Sequence, residues 1–487
     1  MSDFVYRFRT HEGLLGEFQE LERQQIYFAS MEELNDPMEG HRKVVWRGDA
    51  IQWRNLFRNY ARTLLASMEI LAIMGEDASP KEVLSMAQTV VGNPPDLPIR
   101  ELIAKAAEAF VGRPAVQKLA VSLAGRSRPI GRWELTMYLR LLHFVAANDV
   151  GGALAATGLQ SMMPDIPELL LATADTNVDN VVGQIPMPQE LAEGVFELHE
   201  TFNLQMELID AAAGNGHPAN QVFLVRDFPR RYVEGLMAMT YPEWHVACFA
   251  ETPTNAATWS AYAGKQTGVC LKFRTGVTDD GRRTLVLNGG RSWTGSNKAV
   301  ELTETRRFIP MVLSPVVYDT DYPEVPFFTS LGQIPISDLE RDWFSEEGQF
   351  SPDVQQFAGD GAEWRKGYWD RFYGCVNRKT PDWAHEQELR LDISSQMSPF
   401  DTPQSRLLDY RFEDLQGVIF GVRTPVEVKT RIVQLIDAKC RSSGRTEFEF
   451  HQAGYSPGGA IEIRPLSMIK VGPVRPAPAS DVAPAAP

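Results

Sequence analysis

Cysteine is scarce in this chain: four among 487 residues, Cys248, Cys270, Cys375 and Cys440, far apart and without metal-ligand spacing. That excludes a disulfide framework as the organising device and points to a reducing compartment. Long uncharged apolar runs are missing too. None reaches the roughly 18 residues that a membrane span requires, so no membrane partner is expected. The opening Met-Ser-Asp-Phe has no basic stretch followed by an apolar one, so no signal peptide is expected and the expected location is the cytoplasm. Basic charge is in deficit: 48 Lys and Arg face 63 Asp and Glu, for a formal net charge of -15. Non-specific binding to nucleic acid needs a basic footprint and is therefore disfavoured, although a local basic pocket for a small anion is allowed. No P-loop, no Gly-x-Gly-x-x-Gly after a strand and no Gly-x-Ser-x-Gly elbow is present, which sets aside the P-loop ATPase, Rossmann dehydrogenase and α/β-hydrolase classes. His385 has no second histidine at helical spacing, and no metal is expected. The residual metal reading, a two-metal phosphodiesterase using Asp36, Glu39, Glu386 and Glu388, ranks third on the acidic composition.

What is present reads as a globular protein, 44% hydrophobic and 23% charged, and too long for a single core. From about residue 48 to 239, apolar residues recur every three or four positions, as in Trp53-Phe57-Tyr60-Leu64, Leu102-Ala106-Phe110 and Trp133-Met137-Leu141-Val145. That is the spacing of amphipathic helices. Breaks fall at Ala78-Ser79-Pro80, Gly92-Asn93-Pro94-Pro95 and Gly112-Arg113-Pro114. His143 and His199 lie within this region as lone histidines, read as core or surface residues. On either side, alternation with a period of two marks strands over residues 4–9, 268–273 and 388–393, and strand character extends to 26–30, 245–251, 315–319 and 415–421. The spacing predicts a short helix over 11–23 and helix over 338–378. The predicted fold class is α+β, a mixed or antiparallel β core interrupted by a large all-helical insertion. Its boundaries are 1–47 for the first part of the core, 48–240 for the insertion, 241–470 for the main part of the core, and 471–487 for a disordered Pro/Ala tail.

The richest stretch is 379–393, Lys-Thr-Pro-Asp-Trp-Ala-His-Glu-Gln-Glu-Leu-Arg-Leu-Asp-Ile. Leu389, Leu391 and Ile393 alternate with Glu388, Arg390 and Asp392, and extending the alternation puts Glu386 on the polar side. Two carboxylates and a guanidinium then share one ridge, which either lies in water or lines a cleft. The first strand offers Arg7 and Arg9 on one face. Arg7 with Glu386 and Glu388 makes either a buried ion-pair network between the first and late strands or a ligand site, and both readings stand. Ser30 with Glu33 has capping-box spacing, and Asn35-Asp36-Pro37-Met38-Glu39 is turn chemistry from which Asp36 and Glu39 could approach a cleft. Lys379 and Arg378 are solvated charges or extra phosphate contacts. Trp259 and Tyr262, three apart, are core residues or a stacking platform for a nucleobase.

Four ordered blocks resemble a bacterial family of domains of unknown function, family 2971. They are Tyr6-Arg7-Phe8-Arg9; Ile26-Tyr27-Phe28-Ala29-Ser30 with Leu34-Asn35-Asp36-Pro37-Met38-Glu39; Trp259-Ser260-Ala261-Tyr262-Ala263 with Gly268-Val269-Cys270-Leu271; and Lys379 with Trp383-Ala384-His385-Glu386-Gln387-Glu388-Leu389-Arg390. The strand at 415–421 looks like the family's last common element, and the helical region lies outside the resemblance. The layout in turn resembles ADP-ribosyltransferases, which carry Arg, His or Tyr on the first strand, a Ser-rich central strand, and Glu-x-Glu or Gln-x-Glu entering a late strand. The resemblance implies NAD as the substrate cofactor, with Arg7 on its pyrophosphate or ribose and Arg9, Ser260, Tyr262, Lys379 and Arg390 as further cofactor contacts. It implies Glu388 as the catalytic carboxylate and Glu386 as the residue that selects or activates the acceptor. The implied activity is transfer of ADP-ribose to a macromolecular acceptor, or hydrolysis of NAD, by an effector of bacterial defence or toxicity. A second class stays open: a non-catalytic nucleotide-binding or sensor module that docks a partner through its helical region. The central strand, Val246-Ala247-Cys248-Phe249-Ala250-Glu251, departs from the pattern in having alanines where serine is favoured, and Ala261 stands where the family often has histidine.

Overall fold

The computed structural model describes residues 3–472 apart from 17, 76–77, 93–96, 156–165, 167, 183–187, 215–217, 297–298, 358–360 and 396–399. The expected Pro/Ala tail from 473 and most of the break at 92–95 lie outside the described residues. The fold is mixed α and β, and the chain forms two compact units. One comprises Met1–Gly40, Glu243–Asp321 and Val376–Pro487; the other comprises His41–Pro242 and Tyr322–Cys375. The segment 322–375, expected in the β core, thus belongs with the helical unit. Its strand Glu324–Pro326 pairs in parallel with Lys43–Val45, a long-range partnership that local periodicity does not reveal.

The first unit is built on an eight-stranded sheet: β1 Phe4–Arg9, β2 Trp244–Ala250, β3 Val269–Arg274, β4 Ser314–Pro315, β5 Glu388–Ser394, β6 Leu415–Phe420, β7 Glu449–Tyr455 and β8 Ile461–Pro465. Their spatial order is β8-β7-β6-β3-β1-β2-β5-β4. Neighbours run antiparallel except β6 and β7, which are parallel. The alternation seen in the sequence sends side chains to two different cores. Val5, Val269, Leu271, Phe273, Leu389, Leu391, Val418 and Phe420 enter one large cluster, while Phe8, Cys270 and Ile419 enter a smaller one with Trp259. The strands are therefore buried on both faces, and the polar side of β5 is not solvated. Helix α1 (Ala256–Tyr262) lies in this unit, as does α2 (Val426–Ser443), which contributes Ile432, Ile436 and Cys440 at four-residue spacing to the large cluster. Gly444, at φ 71, ends α2 in the left-handed conformation that suits a residue without Cβ. All four cysteines are free thiols. The expected helix over 11–23 forms as two short pieces, His11–Leu15 and Glu20–Arg23.

The second unit is helical over most of 50–238. Its longest helix, Ala50–Met74, starts where Asp49 accepts from the N–H groups of Ile51 (2.8 Å) and Gln52 (3.1 Å), while the Gln52 side chain accepts from Asp49 N (2.9 Å). This capping box satisfies donors that the first helical turn leaves free. Trp53, Phe57, Tyr60 and Leu64 are all fully buried. Pro80 and Pro114 open helices, as a residue without an N–H does at no cost in the first turn. His143 is a satisfied core residue: Nδ1 meets the Tyr60 hydroxyl and Nε2 the Leu224 carbonyl, each at 2.7 Å, and burial pushes its pKa down to about 4. His199 is exposed. The expected helix over 338–378 is interrupted, with a π-helical turn at Glu340–Phe344, a small hairpin and the helix Ala362–Val376.

Candidate functional site

Local backbone chemistry places the charged side chains of 379–390. Lys379 sits in the two-residue strand Arg378–Lys379, which pairs in parallel with Val317–Tyr318. Thr380 then leads into a 3₁₀ turn, Pro381–Glu386, with proline where a missing N–H is harmless. Gln387 closes the turn at φ 47, and β5 begins at Glu388. Glu386 is therefore not part of the strand, as extension of the alternation had placed it. It ends a helical turn, and the left-handed residue after it brings both carboxylates to one ammonium. From the other side, the Asn35–Glu39 block forms an Asx turn, Met38 N to Asp36 Oδ1 at 2.9 Å and Glu39 N to Asp36 O at 3.0 Å, that delivers Glu39.

Five charges converge. Lys379 Nζ contacts Glu386 Oε2 at 2.7 Å, Glu388 Oε2 at 2.8 Å and Glu39 Oε1 at 3.0 Å. Arg390 binds Glu388 Oε1 at 2.7 Å, donates to the Val376 carbonyl at 2.5 Å and pairs with Glu39. The Tyr262 hydroxyl donates to Glu386 Oε1 at 2.6 Å, and the Tyr318 hydroxyl accepts from Glu388 N at 2.7 Å. Every one of the five charged residues is buried, and Arg390 is completely so. Burial opposes charge on Glu388, but Arg390 and Lys379 outweigh it and hold that carboxyl at about 2. Burial dominates at Glu39 and raises it, with the neighbouring Glu388 adding to the rise. Carboxyl groups that share cations while their acidities are driven apart divide naturally into an ionised and a more basic partner.

Beside this cluster lies a cavity of about 170 Å³ lined by Arg7, Tyr27, Glu39, Phe249, Tyr262, Lys379, Glu386 and Glu388, among others. Arg7 is 5% exposed. Its Nη2 donates to the Tyr27 carbonyl at 2.7 Å, its guanidinium lies 5.5 Å from the Phe249 ring centroid, and its Nε has no hydrogen-bond partner. Burial lowers its pKa to about 10.

The structure thus gathers Arg7, Arg9, Tyr262, Lys379, Glu386 and Glu388 around one cavity, with Arg9 engaged by Glu20 (Nε to Oε2, 2.9 Å). Two expected contacts fall elsewhere. Arg390 is fully buried behind Glu388 and does not line the cavity. Ser260 is exposed; Thr258 and Tyr262, four apart on α1, take the inward face instead. Thr258 is buried with its hydroxyl unpartnered. The reading of Lys379 as a solvated charge is overturned by its 2% exposure, and Trp259 is core, its Nε1 bound to the Pro253 carbonyl at 2.7 Å. No family model, curated protein or solved structure matches this chain. The residues that sequence reasoning left without a role are Tyr318 and Thr258. Their local patterns are ordinary strand and helix, and only the pairing of distant segments exposes them. Glu39 carried a signal, a carboxylate in a turn-rich block, but nothing marked it as a partner of Lys379.

The arrangement provides an ionised, immobile carboxylate next to aromatic walls and a buried guanidinium whose Nε is unpartnered. Chemically, that suits a ligand whose one end develops positive charge and whose other end is anionic. Among the described residues, no group of His, Cys, Asp and Glu is arranged to hold a metal ion.

Proposed function

We propose that the cavity receives the nicotinamide–ribose end of NAD and that the protein breaks the bond between them, passing ADP-ribose to water or to a macromolecular acceptor. The observation that carries this reading is Glu388, buried and ionised at the cavity wall with its pKa near 2. When the N-glycosidic bond breaks, its electron pair leaves with the pyridinium nitrogen, which becomes neutral, and positive charge grows on the ribose. A fixed carboxylate stabilises that charge without reorganising. Water or an acceptor hydroxyl then bonds to the anomeric carbon and loses a proton, for which Glu39, held above the usual carboxylate range, is the available base. Arg7 Nε has a donor to spare for an anionic phosphate. The cavity is smaller than the ~300–1,000 Å³ typical of drug-sized pockets, so it suits a ring and sugar, with the rest of the dinucleotide extending outward. The resemblance of the blocks around Arg7 and Glu388 to ADP-ribosyltransferase-like proteins supports the same chemistry, and an effector of bacterial defence or toxicity is the role it suggests.

One observation favours the second reading, a binding or sensor module: both oxygens of Glu388 already rest on cations. The two separate on incubation with NAD. The enzyme reading expects wild-type protein to release nicotinamide and Glu388→Gln to lose at least ~100-fold of that rate in the fraction that stays folded. Dependence on added cell lysate distinguishes transfer from hydrolysis. Absence of nicotinamide release by wild type under both conditions would sink it.

A further inference from the structure

Thr258, in the first turn of α1, carries a hydroxyl that bond cleavage does not use. The residue is 4% exposed and lines the cavity, and its Oγ1 has no hydrogen-bond partner among the described residues. A threonine inside a helix can donate to the carbonyl one turn back. Thr63, Thr136 and Thr430 do so, to the carbonyls of Asn59 (2.8 Å), Arg132 (2.8 Å) and Val426 (2.9 Å). Thr258 has no such recourse, because the residue four positions back, Thr254, precedes the helix. The Asn255 side chain caps the turn by accepting from the N–H groups of Ala257 (2.8 Å) and Thr258 (3.2 Å), which satisfies the backbone and leaves the hydroxyl alone. Two other hydroxyls on the cavity wall are committed, Tyr27 to Glu33 at 2.8 Å and Tyr262 to Glu386 at 2.6 Å. A buried hydroxyl without a partner destabilises the fold, and its retention calls for a reason.

The position of Thr258 on α1 says what could meet it. Thr258 and Tyr262 are four apart on one helix face, about 6 Å along its axis. Tyr262 is tied to Glu386, which shares Lys379 with Glu388. A ligand that spans from Glu388 to Thr258 therefore has its reacting end at the carboxylate and a polar group at the hydroxyl, with Tyr6, Phe8 and Phe249 among the residues lining the same cavity. A threonine hydroxyl both donates and accepts, and a carboxamide offers the matching pair, a carbonyl and an N–H. We infer that Thr258 is a specificity residue of this cavity: its hydroxyl hydrogen-bonds the ring carboxamide of the nicotinamide end and selects ligands that carry that amide over those that lack it. The inference rests on the NAD reading for the identity of the ring.

The probes are nicotinamide and pyridine, which lacks the amide, each titrated against full-length wild type, Thr258→Val and Thr258→Ser and followed by saturation-transfer NMR. Valine keeps a branched side chain and removes the hydroxyl; serine keeps the hydroxyl. Thr258→Val should bind nicotinamide ~10-fold more weakly, the order expected for one lost hydrogen bond, and pyridine as wild type does, while Thr258→Ser stays close to wild type for both. Without ligand, Thr258→Val should melt no lower than wild type, since the substitution removes a buried polar group that has no partner. A hydroxyl with a structural task would give the opposite pattern, a lower midpoint and unchanged binding. Equal nicotinamide binding by wild type and Thr258→Val, no binding by wild type, or a midpoint lowered by several degrees would each overturn the inference. The NAD reading fails separately. A wild type that binds nicotinamide through Thr258 yet releases none from NAD loses the cleavage and keeps this contact; release whose KM Thr258→Val leaves unchanged keeps the cleavage and loses the contact.

Discussion

Lys379 is the residue on which three carboxylates from two distant segments depend, and its surroundings set what its loss does. Charges this deeply buried cost several kcal/mol each to desolvate, and the cost is recovered only while the pairing is complete. Replacing Lys379 by Met leaves Glu39 and Glu388 on Arg390 alone and Glu386 with the Tyr262 hydroxyl but no cation. The expected loss is about 3–5 kcal/mol of stability at pH 7, read from urea denaturation. The pH dependence follows from Glu388. Its folded pKa of about 2 lies below the ordinary carboxylate value, so the stabilisation is full above that ordinary value and is lost as pH falls toward 2. Without the ammonium, the folded pKa of Glu388 rises, and the acid unfolding edge of Lys379→Met should move to higher pH than in wild type. An unchanged edge, together with a stability loss under ~1 kcal/mol, would show that Lys379 is dispensable to the cluster.

At the scale of elements, the turn between Lys379 and β5 does what the strand alone does not. Gln387 adopts φ 47, a region that costs a residue with Cβ roughly 1–2 kcal/mol and a β-branched one more. Gln387→Val should lower the thermal midpoint by several degrees, whereas Gln387→Gly should match or exceed wild type and keep Glu386 and Glu388 together. Equal midpoints for all three would refute the local strain. This turn also marks how far the sequence was legible. The alternation of Leu389, Leu391 and Ile393 identified β5 and its core face correctly, because pleat geometry is local. The same rule carried back to Glu386 gave the right neighbourhood by the wrong geometry, since a 3₁₀ turn intervenes. It left open whether the polar face lies in water or lines a cleft, and Arg390 is fully buried. Thr258 and Tyr318 stayed invisible because their roles come from neighbours far away in the chain, Tyr318 through its parallel pairing beside Lys379.

At the scale of the whole molecule, neither unit is continuous in sequence. The sheet unit collects three segments and the helical unit two, so each core forms only when distant stretches meet. The helical span 50–238 was readable from its period, but the assignment of 322–375 to that unit was not, because it rests on the pairing of Glu324–Pro326 with Lys43–Val45 and not on any pattern within the segment. Two compact units are expected to unfold in more than one step. Calorimetry should therefore show more than one transition, with a calorimetric enthalpy above the van't Hoff value of either. Leu391 and Leu64 are both fully buried, one in each unit, and truncation of either to alanine costs about 2–5 kcal/mol. Leu391→Ala should lower one transition and leave the other in place, and Leu64→Ala should do the reverse. If both variants instead shift a single transition together, the two units unfold as one cooperative body, and damage to the helical unit would reach the cluster around Lys379 directly.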